Sequence, residues 1–270
     1  MEMSHQRSIS SLTGNPLGAI RTAIAEAINN NFSCLPKEII NKISFEIGYP
    51  KYRAHFTTTI ALTLAGYLKL DALQIAKAIA TSVEKALFDN AASPPITQWQ
   101  IQAVGKGWLN ISLQDEYLAN ALFDLSHQST FESTASPQPQ KLADTESPEL
   151  RLQYVYARCC ALLRLATSYQ DFSKDKICLP QFEDCLQPEI SLLLRNLAIA
   201  DYLGNNDVTG KKLSKNLLRS LTTDFLNFYD HCRIFSVNAD IAYRRILVIE
   251  VTRKMILRLS DPEIVYAEYL

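Results

Sequence analysis

Histidine is nearly missing from this chain and glycine is scarce: four His and eight Gly are spread through 270 residues. A phosphate-cradling loop needs clustered glycines, so that backbone amides can approach the ligand. None is present, and neither H-E-x-x-H nor G-x-S-x-G occurs. A metallopeptidase, a P-loop enzyme and an α/β-hydrolase are thereby excluded, and no cofactor is expected. The six cysteines form no C-x-x-C pair, and no His stands at zinc-finger spacing. Cys178 and Cys185 leave a pair or a metal open. Reduced structural thiols, with no metal, are the expected state. Charge of one sign is also missing, with 27 Lys+Arg against 28 Asp+Glu. Any basic face must therefore be local. No apolar run reaches membrane-spanning length, and MEMSHQRSISSLTGNP carries no apolar signal core. The expectation is a soluble cytoplasmic protein with no membrane partner.

What is present divides into two halves. Residues 126–148, SHQSTFESTASPQPQKLADTESP, are rich in Ser, Thr, Pro and Gln. A coil of that length spans about 25–30 Å on average. It reads as a flexible linker between domains at 1–125 and 149–270. The first half mixes periods. Residues 15–31 place Ile20, Ile24 and Ile28 at helical spacing behind an Asn15 cap and Pro16. ISFEIG, 43–48, alternates like a strand. TTTIALTLAGYL returns to helical period, as does a run that starts at an Asp71 cap. TQWQIQAV and GWLNISL flank Gly105-Lys106-Gly107 as a hairpin. This half is expected to be α+β, a small antiparallel sheet with helices. The second half predicts helices at 149–169, 188–203, 211–234 and 239–259, with a short one near 181–187, that is, an all-α bundle.

Particular residues carry a resemblance. LQYVYARCCALLRLA, 152–166, is similar to the first helix of the DALR anticodon-binding domain of arginyl-tRNA synthetases, through Leu152, Gln153, Tyr154, Ala157 and Arg158. PEISLLLRNLAIADYL, 188–203, resembles that family's next long helix. DFLNFYDHCRIF resembles its aromatic helix, through Phe225, Asn227, Phe228, Tyr229 and Arg233. YRRILVIEVTRKMILRLS resembles its last helix. VGKGWLNISL, 104–113, is similar to a strand of the N-terminal additional domain of the same enzymes, through Gly105, Gly107, Trp108, Leu109 and Asn110. Arg53-Ala54-His55-Phe56 departs from the Gly-Asp-aromatic turn expected there.

In those synthetases a class I catalytic domain lies between the two parts, and it needs on the order of 150–250 residues. Here only the linker occupies that position. No H-x-G-H exists, because the four His are followed by Gln, Phe, Gln and Cys. KKLSKN, 211–216, lies inside the bundle and reads as a basic helix start rather than a catalytic loop. The expectation is a non-catalytic protein that binds tRNA, tRNA-Arg by the resemblance. The bundle would face the anticodon and the N-terminal domain the elbow.

Between residues 211 and 258 ten basic residues stand against four acidic ones. Phosphate binding needs such a local surplus. The candidate tRNA-binding residues are Asn110, Tyr154, Arg158, Lys211, Lys212, Lys215, Tyr229, Arg233, Arg244 and Arg245, with Tyr243 a further aromatic among the cations. Phe225 and Phe228 read as core, Trp108 as filling for the sheet, and Tyr154 and Arg158 have the alternative of simply joining helices. Two other readings stay open. One is a protein-interaction module with a protein partner or a second copy of the chain. The other is an accessory subunit completed by a separate catalytic chain. Surface that a catalytic domain would have covered is free for a domain–domain or dimer contact.

Overall fold

The computed structural model describes residues 16–32, 35–40, 42–48, 54–89, 98–128, 148–168, 182, 184–205, 211–261, 264 and 266–269. Asn15, Cys34, Arg53, Cys178, Pro262, Glu263 and linker residues 129–147 lie outside them.

The N-terminal half is α+β. Its elements are α1 (Gly18–Asn31), α2 (Lys37–Ile40), β1 (Glu46–Ile47), β2 (Phe56–Thr58), α3 (Ile60–Leu68), α4 (Ala72–Asp89), β3 (Trp99–Val104), β4 (Trp108–Leu113) and α5 (Asp115–His127). The strands form an antiparallel sheet in the order β1-β2-β4-β3. Ile101, Ile111 and Phe56 align across three strands, and each is buried. α3 and α4 cover that apolar face.

The β3–β4 turn depends on glycine. Gly105 and Gly107 hold φ of 57° and 112°, a region costly for residues with a Cβ. A Cβ on Gly107 would also stand 2.9 Å from the Ala72 carbonyl. Asp71 caps α4 as expected, its carboxylate accepting from Gln74 N–H at 2.9 Å.

Three local expectations need correction. The TTT run belongs partly to β2, because pairing to β4 outweighs its continuity with α3. α1 opens at Gly18, behind Leu17 and without a side-chain cap. The strand expected over 43–48 shortens to two residues.

The C-terminal half is helical: α6 (Pro148–Ser168), α7 (Gln187–Asn205), α8 (Lys211–His231) and α9 (Ala239–Leu259). The described residues of 182–186 make a turn, with Cys185 N–H donating to the Phe182 carbonyl, rather than the short helix expected there. α9 starts at an Asn238 cap whose side chain accepts from Asp240 N–H.

Beyond α9 the chain returns along α6. The Gln153 side-chain amide donates to the Ala267 carbonyl at 2.7 Å and accepts from Ala267 N–H at 3.1 Å. Tyr266 packs on Tyr156, and the Arg164 guanidinium lies 4.0 Å from the Tyr269 ring centroid.

The halves are not separate bodies. One apolar core runs through both, and α5 packs on α9 and α7. Ser126 and Gln128, read from sequence as the start of the linker, are instead held at the end of α5 by α9. Among the described residues no helix is long and apolar enough to cross a membrane.

Candidate nucleic-acid interface

The ten candidate residues separate into three groups. Tyr154, Arg158 and Tyr229 come together. Tyr154 and Arg158 are one helical turn apart on α6, so they share a face. Tyr229 comes from α8. The Arg158 guanidinium lies 5.4 Å from the Tyr154 ring centroid and 5.2 Å from that of Tyr229. It donates to the Tyr154 hydroxyl at 3.2 Å. Behind it, Tyr229 stacks on fully buried Phe225, with 6.2 Å between centroids and 9° between planes.

The cluster is thus anchored in the core on one side. Its three polar members are each half-buried. Arg158 Nε is buried and finds no hydrogen-bond acceptor among the described residues. The hydrogen bond to Tyr154 raises the Arg158 pKa further, so the cation is permanent. Two tyrosine faces and a fixed planar cation make a surface suited to a flat, electron-rich group.

A second group is exposed and charged. Lys215 and Arg219 stand one turn apart on the solvent face of α8, and Arg233 is exposed just past its end. Lys211 and Lys212 open α8; their side chains lie outside the described residues. Asp224, on the same helix, is occupied by Arg195 of α7 at 2.7 Å.

The third group is interior, which corrects the expectation. Arg244 and Arg245 are 2% and 4% exposed and cannot reach a phosphate on the surface. Both are engaged by Glu189 of α7, itself 1% exposed: Arg244 at 2.5 Å and Arg245 at 2.9 Å. Burial forces this arrangement, because an interior guanidinium needs a carboxylate beside it. Arg245 also donates to the backbone carbonyl of Arg233. It thereby holds the turn at Arg233. Tyr243 is half-buried and packs on the core. Phe225 and Phe228 are fully buried, as read from sequence.

Asn110 is on β4 of the sheet, on the face opposite buried Leu109, Ile111 and Leu113. It is flanked by Thr57 on β2 and Gln102 on β3. Trp108 does not fill the sheet; it is 38% exposed, two positions from Asn110 on the same face. The alternation of GWLNISL already carried this, since Leu109, Ile111 and Leu113 take the buried positions. Trp108, read from sequence as filling for the sheet, therefore joins Asn110 on that face.

No group of His, Cys, Asp or Glu able to hold a metal occurs among the described residues. Cys159, Cys160, Cys185 and Cys232 are free thiols. Burial pushes Cys185 to about 12 and Cys232 to about 11.

The four helices of the C-terminal half are also the part of the chain that resembles a known family. Residues 152–259 match the model of the DALR anticodon binding domain, the C-terminal domain of arginyl-tRNA synthetase. The match runs from the second turn of α6 to the last residue of α9, and so contains every bundle candidate. Comparison with curated proteins returns no match, and neither does comparison with solved structures.

Proposed function

We propose that this chain is a non-catalytic tRNA-binding protein. The bundle would receive the anticodon loop, and the outer face of the sheet would receive the elbow. The observation that carries the reading is the convergence of Tyr154, Arg158 and Tyr229. Two sequence segments some seventy residues apart supply one cation between two aromatic faces, inside a region that matches an anticodon-binding family. Unpaired loop bases are recognised by stacking on aromatic and guanidinium planes. Lys215 and Arg219 on α8 and Arg233 just past its end supply exposed positive charge of the kind a phosphate backbone requires. tRNA-Arg is the species the resemblance favours. Cytoplasmic residence and the absence of a catalytic role belong to the same reading.

The test is binding of purified protein to total tRNA across a salt series, alongside the Lys215→Glu/Arg219→Glu/Arg233→Glu variant. All three side chains are exposed, so the variant retains its fold. The expected result is a steep fall of affinity with salt for the parent protein. The variant should have a slope shallower by about 0.7–0.9 per lost phosphate contact and at least tenfold weaker binding at low salt. Absence of tRNA binding at low salt defeats the reading and leaves the protein-interaction alternative.

A further inference from the structure

α5 lies between two bodies. Tyr117, Leu118, Ala119, Ala121, Leu122, Leu125 and Ser126 are all buried. At about 100° per residue these positions cover more than half of the helix circumference. A helix that covers only one neighbour buries a narrower stripe. One side of α5 is tied to the N-terminal half, where the Tyr117 hydroxyl donates to the Pro16 carbonyl just before α1. Its other side packs on α9 and α7 of the bundle.

Charged groups close the contact at both ends. Lys254, on α9, is only 7% exposed. Its Nζ donates to the carbonyls of Ser126 and Gln128, the second at 2.8 Å. Carbonyls at a helix C-terminus lack intrahelical partners, and here a lysine from the other domain supplies their donor. Arg258, one turn further along α9, donates to the Gln128 side chain at 3.3 Å.

At the opposite end Arg21 of α1 pairs with Asp201 of α7, a carboxylate 6% exposed. Arg21 also donates to the Ile43 carbonyl and lies 4.9 Å from the Phe45 ring centroid. Asn205 donates to the other oxygen of Asp201 at 2.9 Å. Opening the domains would take Arg21 from the buried Asp201 carboxylate and two carbonyl acceptors from the Lys254 ammonium, which otherwise keeps Glu250 of its own helix at 3.6 Å; both losses are unfavourable.

We propose that the sheet domain and the bundle form one permanently closed body keyed by α5, and that Arg21, Asp201 and Lys254 are positioning residues that fix the two candidate RNA-contacting faces relative to each other. The functional half of this statement rests on the tRNA reading above; the closed body does not. A synthetase-like arrangement with a catalytic body inserted between these domains is incompatible with it, because α5 already fills the junction. A separate catalytic chain would have to dock on the outside.

The experiment has two parts. Calorimetry and small-angle scattering on the unaltered protein should give a single unfolding transition and a compact particle. Two well-separated transitions, or an extended particle, overturn the closed body without recourse to any variant. The Arg21→Met/Lys254→Met variant should then split the transition and expand the particle. With it, full-length tRNA and an isolated anticodon stem–loop are titrated in parallel. The variant is expected to bind the stem–loop as the parent does and full-length tRNA about tenfold more weakly, because a ligand held at two sites loses the gain from their fixed spacing. Equal loss for both RNAs, or no loss for either in an opened variant, overturns the positioning role. If the parent protein binds neither RNA, the tRNA reading and the positioning role fall together, while calorimetry and scattering still decide the closed body.

Discussion

α8 and α9 have the same length, twenty-one residues each, and both are rich in Lys and Arg. They use that charge in opposite ways. α8 keeps Lys215 and Arg219 in solvent. α9 turns three of its five cations inward: Arg244 and Arg245 to Glu189, and Lys254 to the end of α5, while Arg258 stays exposed. Half-buried Arg253 turns to Glu250. The difference follows from packing. α8 lies against α7, α6 and α9 along one face, whereas α9 touches α6, α7, α8 and α5. A helix enclosed on most sides leaves only a narrow half-buried stripe, through Tyr243, Glu250 and Arg253, so the buried cations off that stripe must find carboxylates or carbonyls inside. The positive surplus counted along this region is therefore only in part a surface property, since Arg244, Arg245 and Lys254 do not contribute to it.

The largest expected effect that would break this comparison is at Arg244 and Arg245. Their joint replacement by Glu places three carboxylates in one buried site, and the bundle should not fold; circular dichroism and urea unfolding check this. If the double variant folded with normal stability, the interior assignment of α9 would be wrong. Glu189→Ala leaves two guanidinium groups without a countercharge. It should lower stability by about 3–5 kcal/mol, read from the shift in urea midpoint. Lys215→Glu/Arg219→Glu on α8 should change stability by no more than about 0.5 kcal/mol while weakening RNA binding, the opposite signature to α9.

Arg158 sharpens the comparison, because it is half-buried and stands between the two cases. Arg158→Lys keeps the charge but loses the planar group between Tyr154 and Tyr229. A loss of about 0.5–1 kcal/mol of stability is expected, with a larger loss of affinity for the stem–loop.

The smallest expected effect is in the sheet domain. His55 accepts from Leu113 N–H through Nδ1, and burial lowers its pKa, with Asp115 opposing. A His whose folded pKa lies below its unfolded 6.5 favours the neutral form. The folded state then binds fewer protons than the unfolded one below about pH 6.5. Stability should be fully present above that value and decline as pH falls through it toward the folded pKa. His55→Asn should flatten the pH dependence between 7 and 5 in thermal melts.

Much of the architecture was legible because it rests on local patterns. Helical spacing in 152–166 and 239–259 located α6 and α9, and paired glycines around Lys106 located the hairpin. Tyr154, Arg158 and Tyr229 were singled out from short motifs, and they meet. Arg244 and Arg245 were singled out by charge, and they do not reach the surface. Charge gives no sign of which helix is enclosed, whereas alternation does report facing, as Trp108 and Asn110 show on β4.

The amino-acid sequence by itself determined the α+β half, the four long helices and the resemblance that points to tRNA. Each follows from periodicity or from residues close along the chain. Only the tertiary structure decided that Tyr229 meets Tyr154 and Arg158, that α5 joins the two halves, that Lys254 and Asp201 take their partners across that junction, and that two arginines belong to the interior. Those outcomes depend on which surfaces meet, and burial changes the cost of a charge far more than any neighbour in sequence does.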